Sequence, residues 1–316
     1  MEIRGGSRMD VTFAVANYNS GQFLEECVNS ALSQRGLSCE VIIVDDGSSD
    51  GSDAQAERMA ASDERVRFFR TPSNLGPGGA RNIAFEHMRG DWYAVLDSDD
   101  LVVPERSARL IAAAEVHKAD MVADDLTVFG EGIEGTQFLA QSMLPGTILT
   151  LDAYFRDSAM YGPAPNPGFL KPMISRSLIE RTAIRYDESL RVAEDDDLII
   201  RLLMAGARYY VAPQAGYLYR KHEQSISHRL SPGHAAAMGA RAARLEEEVR
   251  AAGLNSAAFR NRQKAMRQAV AFTQAVEALK HGKPMAALRE VMREPGSARH
   301  FAMPIKARVS RMVGGS

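Results

Sequence analysis

Cysteine is nearly absent: Cys27 and Cys39 are the only two, and no metal-binding spacing joins them. That excludes a zinc ribbon and a disulfide-stapled secreted scaffold, and both are read as reduced, inert thiols of a cytoplasmic protein. No apolar run approaches the roughly 20 residues that cross a bilayer. The opening stretch, MEIRGGSRMDVTFAVANYN, has no signal-peptide core before its first strand-like run. There is no P-loop pattern. The Gly-rich NLGPGGARN (74–82) fails the dinucleotide fingerprint, because the sixth position from Gly76 is Arg81. A net charge of −2 gives no basic footprint for nucleic acid, and none is expected as a partner.

What is present is a globular composition, 45% hydrophobic and 25% charged, over 316 residues, ample for a sizeable core. The charge is unevenly spread: residues 233–316 carry +9, and residues 1–232 carry −11. With no strand signal and an Ala-, Arg- and Glu-rich pattern, 233–316 reads as a helical extension of a main domain spanning 1–232.

Along that domain, strand-like runs at 11–16, 40–44, 66–69 and 92–96 alternate with helical spacing at 22–34, up to about 61, 80–88 and about 104–117, with Pro104 in the last helix's first turn. A further strand region covers 120–130. Residues 131–172 read as irregular, 176–182 and 194–205 as helices, and RYYVAP and GYLYRKH as two short strands. Strand–helix alternation with short connections predicts an α/β fold with a mostly parallel sheet covered on both faces by helices. In such sheets ligands bind at the carboxyl ends of strands. Three polar loops leave those ends: Asn17–Asn19, Asp45–Ser48 and Asp97–Asp100. Their convergence predicts one cleft.

The chemistry concentrates there. In VLDSDDLVVP (95–104) three aspartates follow a buried strand. Carboxylates held on a rigid turn suit Mg²⁺ or Mn²⁺, with diphosphate oxygens completing the shell; a helix N-cap is the bland account. VDDGSSDGS (44–52) offers carboxylates for a base or ribose, or simply a capped turn. Arg81 is a cation for a base carbonyl or a phosphate, or a surface arginine. AEDDDLIIRLLMAGARYY (193–210) opens a helix with four acids, more than the helix dipole requires, and one of them facing a cleft could act as a general base. Arg220, Lys221 and His222 are candidates for diphosphate or metal contacts, although a lone histidine is more often structural.

Taken together and in order, VTFAVANYNSGQFLEECVNSALSQ, EVIIVDDGSSDGS, NLGPGGARNIAF, WYAVLDSDD, AEDDDLIIRLLMAGARYY and YLYRKHEQSIS resemble the family 2 glycosyltransferases of the GT-A fold, over about residues 10–228. The resemblance implies a nucleotide-binding half at about 1–100, an acceptor and catalytic half at 101–232, and inverting transfer from a nucleoside-diphosphate sugar, with a UDP-sugar expected. The implied acceptor is a hydroxyl of a glycan or lipid-linked saccharide, in bacterial surface polysaccharide biosynthesis. It sets Ala16, Asn17, Tyr18, Asn19, Asp45, Asp46, Asn74, Gly76, Arg81, Asp97, Ser98 and Arg220 around the nucleotide sugar. Ala16 stands where the family commonly has proline. Asp99 is the principal metal ligand, joined by Asp97 and His222, for Mn²⁺ or Mg²⁺. The base is the aspartate of the Glu–Asp pair, Asp195, with Glu194 beside it. Asp196 follows where the family usually has an aromatic or apolar residue, so the choice between Asp195 and Asp196 stays open.

Two other classes remain. A sugar-phosphate nucleotidyltransferase would want a basic Gly-rich loop after the first strand, where this chain has NYNSGQF. A catalytically inactive glycan-binding protein would not need the acids at 97–100 and 194–197. The last 20 residues hold Arg299, Lys306, Arg308 and Arg311 among Phe301, Met303, Ile305, Val309 and Met312, with no acid. Three readings are open for this end: peripheral contact with the inner face of the plasma membrane, a homodimer contact, or packing on the main domain.

Overall fold

A computed structural model describes residues 9–139, 142, 144–162, 165–222 and 231–302. The chain divides into two compact units, one of Met1–Tyr154 with Pro167–Ser225, the other of Phe155–Asn166 with Ile226–Ser316.

The first unit is built on a ten-stranded sheet. Its elements are β1 (Met9–Asn17), α1 (Gly21–Leu32), β2 (Cys39–Asp45), α2 (Ser52–Ser62), β3 (Val66–Arg70), α3 (Gly76–His87), β4 (Gly90–Asp97), β5 (Leu101–Val102), α4 (Arg106–His117), β6 (Met121–Gly130), β7 (Ile133–Gln137), β8 (Thr147–Leu149), α5 (Leu151–Asp157), β9 (Met173–Ser175), α6 (Arg176–Thr182), α7 (Glu194–Met204) and β10 (Tyr209–Lys221). The order across the sheet is β3-β2-β1-β4-β9-β6-β10-β5, with β7 beside β6 and β8 beside β10. The six long strands run parallel, and the short β5, β7, β8 and β9 run antiparallel to their neighbours.

The apolar runs explain the centre. All seven residues of β2 are buried, and β1 and β4 bury Val11, Phe13, Val15, Tyr93, Val95 and Leu96. Each such aliphatic or aromatic side chain contributes about 1.5–3 kcal/mol when fully buried. Parallel strands need crossovers, which α1, α2 and α3 supply; α3 packs on β1 and β2, and α4 on β6 and β10.

The structure departs from the sequence expectation in four places. Residues 131–172 are not irregular throughout: β7, β8 and α5 lie among them, two strands and a helix too short to show a period. RYYVAP and GYLYRKH form one strand, β10, with a register shift between Ala212 and Tyr217. A Cβ on Gly216 in that bulge would lie 2.7 Å from Asp124 Oδ2 and Arg109 Nη2, so only glycine fits. Pro104 lies ahead of α4 rather than in it, because Leu101 and Val102 pair with β10 first. Finally, β9 was not expected at all.

In the second unit, α8 (Pro232–Ala251), α9 (Ala257–Lys280) and α10 (Pro284–Arg293) precede a 3₁₀ turn over Pro295–Phe301. Ser231 and Ser256 cap α8 and α9 by accepting from the His234 and Phe259 amides. The Phe155 and Phe259 rings lie 4.8 Å apart, and Arg262 Nε donates to Ser158 Oγ at 3.0 Å, which ties 155–166 to α9. Lys306, Arg308, Arg311, Met303, Ile305, Val309 and Met312 lie outside the described residues, as does most of the segment expected to face a membrane.

Candidate active site

Strand register sets the site. Asn17 pairs with Asp45 across β1 and β2, and Ala16 pairs with Asp97 across β1 and β4. The three polar strand ends therefore lie abreast at one edge of the sheet.

Around β1 and β2 the polar groups mainly brace one another. Asn17 is fully buried, and its Nδ2 donates to Asp45 Oδ1 (2.7 Å), Ser52 Oγ (2.9 Å) and Ser48 Oγ (3.2 Å). Asp46 accepts from the Leu75 and Gly76 amides, both at 2.7 Å, and from Thr71 Oγ1 at 3.0 Å. Asn74 Nδ2 donates to the Asp46 carbonyl, and Arg191 Nη1 donates to Asn74 Oδ1 at 2.6 Å. Gly76 has φ +82°, and a side chain there would run into Arg191. Asp46, Asn74 and Gly76 thus form one loop clasp. Tyr18 is 51% exposed, Asn19 Oδ1 accepts from the Ser49 amide, and Ser98 Oγ donates to Ser20 Oγ.

The ion-pair cluster lies at the end of β4. Arg81, on α3, is buried and donates to Asp97 Oδ1 (2.6 Å), Asp195 Oδ1 (3.0 Å) and Glu194 Oε1 (2.6 Å). Lys171 Nζ faces the other oxygens, 2.8 Å from Asp97 Oδ2 and 3.0 Å from Asp195 Oδ2. Two carboxylates and two cations close a ring, with Glu194 attached. Lys171 was not expected from sequence, because FLKP carries no motif. It arrives through β9: Met173 pairs with Ala94, so the chain just before it runs alongside the end of β4. Buried Arg106 holds it there, donating to the Lys171 carbonyl at 2.6 Å and to Asp124 Oδ1 at 2.9 Å.

The charges respond to this packing. Burial would raise the Asp97 carboxyl, but Lys171 and then Arg81 outweigh it and hold it at about 2. Burial lowers the Lys171 ammonium, yet Asp195 and Asp97 lift it well above the usual lysine range. Glu194 is raised by burial and by the Asp195 charge.

α7 opens on Ala193, whose φ of +65° is a left-handed conformation unusual for alanine, and its first turn presents the acids. They diverge. Asp195 joins the ring, Asp196 Oδ1 accepts from Tyr154 OH at 2.9 Å, and Asp197 Oδ2 accepts from Arg201.

A second cluster holds the remaining aspartates. Asp99 Oδ2 lies 2.8 Å from His222 Nε2. Arg220 donates to the Asp99 carbonyl (2.7 Å) and pairs with Glu26 (2.6 Å), its guanidinium stacked over Phe23 and Phe129. Asp100 is fully buried, accepting from Tyr217 OH and the Arg220 amide. Burial, then Asp97, raises Asp99; burial, then Asp97 and Asp99, raises Asp100. Among the described residues no three metal-ligating side chains converge. Asp99 and His222 are together, whereas Asp97 spends both oxygens on cations. A hard carboxylate and an imidazole, completed by diphosphate oxygens, fit Mn²⁺ or Mg²⁺. Cys27 is buried with its thiol pushed well up by burial, in keeping with an inert role.

The family model described as "Glycosyl transferase family 2" matches residues 12–179, and the chain belongs to that family. Among its relatives is the "Succinoglycan biosynthesis protein ExoO" of Rhizobium meliloti (strain 1021), 38% identical over 96% of this chain and 87% of that protein. The "Succinoglycan biosynthesis protein ExoU" of the same organism is 30% identical, over 70% of this chain and 65% of its own length. Of solved structures, TarS of S. aureus, crystallised in complex with UDP-GlcNAc, superposes with a TM-score of 0.61 at 20% identity, covering 93% of this chain and 92% of that one. The mannosyltransferase PcManGT of Pyrobaculum calidifontis, in complex with GDP-Man and Mn²⁺, gives 0.54 at 17% identity, covering 96% and 81%. The fold is that of the GT-A glycosyltransferases.

Proposed function

We propose that the chain is an inverting, metal-dependent glycosyltransferase. It moves a sugar from a nucleoside-diphosphate sugar, with a UDP-sugar as donor, to a hydroxyl of a glycan or lipid-linked saccharide in bacterial surface polysaccharide biosynthesis. One observation carries the reading: Asp195 and Asp97 share the same two cations at the carboxyl end of the sheet. A carboxylate able to take a proton, beside cations able to hold a departing diphosphate, is what direct displacement requires. The names of ExoO and ExoU support the polysaccharide context. The UDP-GlcNAc complex of TarS supports the donor class.

In this reading the incoming diphosphate competes with the carboxylates for Arg81 and Lys171, and that frees an Asp195 oxygen. Asp195 takes the acceptor hydroxyl proton as the acceptor oxygen attacks the anomeric carbon. The bond to the diphosphate breaks on the opposite face, so configuration inverts without a covalent enzyme intermediate. Asp196, turned onto Tyr154, is less suited to this role. Glu194 orients Arg81, and Asp97 sets the spacing of Arg81 and Lys171. Asp99 and His222 would hold the metal, which would supply charge neutralisation to the diphosphate when bound.

Among the described residues no helix is long and apolar enough to cross a membrane. Peripheral contact with an anionic leaflet belongs to the same proposal. It is supported by α10, which leaves Met285, Leu288 and Met292 exposed at helical spacing near Lys283, Arg289 and Arg293. The donor is tested by thermal shift across a panel of nucleotide sugars with Mn²⁺. One UDP-sugar should raise the melting temperature above the others, and a flat panel would contradict nucleotide-sugar binding.

A further inference from the structure

The helical unit holds a cavity of about 570 Å³, a size usual for small-ligand sites. Its walls come from residues 159–162, from α9 and from the 3₁₀ turn. We propose that this cavity binds an anionic saccharide, through residues other than those of the candidate active site.

Three observations converge. The first is charge. Lys264 and Arg299 line the cavity, and among the described residues no acid does. Among the described residues Lys264 has no ion-pair partner, while Arg299 donates only a long 3.4 Å bond to His300 Nε2. Two cations on an acid-free wall favour a carboxylate or phosphate. The second is an unused acceptor. Gln268 is 3% exposed, and among the described residues its Oε1 has no hydrogen-bond partner. Buried polar atoms are rarely left so, and Gln268 lines the cavity. Its amide packs against Gly296, where a Cβ would run into the Nε2. The third is an aromatic platform. Tyr161 is 43% exposed, stands 4.9 Å from the His300 ring, and adopts a left-handed φ of +55°. Holding a tyrosine that way is a strain that the rest of the unit must offset. Exposed aromatic faces beside amide groups suit the apolar face of a sugar ring, and Asn261 supplies a second amide.

Isothermal titration of the full chain tests this with glucuronate, glucose 6-phosphate, glucose and inorganic phosphate. One or both acidic sugars should bind at least tenfold more tightly than glucose or phosphate, and which one binds identifies the anion. Lys264→Glu, a change at an exposed position, should weaken that binding tenfold or more while the circular dichroism spectrum is unchanged. Gln268→Met should bring the acidic sugar down toward phosphate alone. Failure of all four probes to bind overturns the proposal. So does undiminished binding by Lys264→Glu, or phosphate binding as tightly as the acidic sugars.

Discussion

Replacing Lys171 with methionine keeps the length of the side chain and removes its charge. In the native protein the Lys171 side chain is 10% exposed and sits within 3.0 Å of two carboxylates. Its loss leaves Asp97 Oδ2 and Asp195 Oδ2 without that partner while Arg81 still holds the opposite oxygens. Breaking a buried pair by deleting one member costs about 3–5 kcal/mol. The surviving Arg81 contacts, and the 24% exposure of the Asp97 side chain, put the expectation at the low end, about 3 kcal/mol. The sign of the pH dependence is also fixed. A carboxyl held at about 2, against 3.8 when unfolded, adds stability that is present above about pH 4 and lost as pH falls toward 2. That contribution is about 2 kcal/mol before screening. Lys171 provides much of it, so Lys171→Met should be less stable at pH 7 and flatter between pH 4 and 2. Urea unfolding at a series of pH values measures both. A loss below about 1 kcal/mol at pH 7, or an unchanged acid limb, would refute the ring as an energetic unit.

Three shorter expectations follow from the same geometry. Asp195→Asn should keep UDP affinity and lose transfer by about 10²-fold or more, whereas Asp196→Asn should transfer nearly normally; the reverse pattern in UDP-release assays moves the base by one residue. Asp99→Ala should abolish Mn²⁺-dependent UDP binding in a folded protein, and unchanged binding by calorimetry rejects the Asp99–His222 metal site. Full-length protein should pellet with anionic liposomes at low salt but not at high salt, and protein ending at Ala302 should pellet less; if both stay in the supernatant, the basic end serves packing or dimerisation.

The first four long strands of the fold were legible because they are apolar runs, three of them ended by Asn17, Asp45 and Asp97, and burial on both faces leaves such runs little choice. Arg81, Asp97 and Asp195 stood out in the sequence because charge beside an apolar run is costly without a partner, and the structure brings the three together. Lys171 was hidden. It reaches the ring through the three-residue β9 and the buried Arg106–Asp124 pair, long-range contacts that leave no periodicity. Asp46 and Asn74 look like ligand residues in sequence, and their hydrogen bonds clasp the loop that carries Gly76. Spacing alone cannot separate a carboxylate that binds a ligand from one that binds its own backbone. The second unit showed its helices through composition, but its cavity arises where α9 meets two irregular segments.

The central claim is metal-assisted displacement with Asp195 as base. It is tested most directly by timing nucleoside diphosphate release from the donor that the thermal-shift panel selects, with Mn²⁺ or with EDTA, in wild type and Asp195→Asn. The account predicts release that requires Mn²⁺ and falls about 10²-fold or more in Asp195→Asn, with donor affinity retained. Release that persists in EDTA, or that Asp195→Asn leaves unchanged, would contradict it.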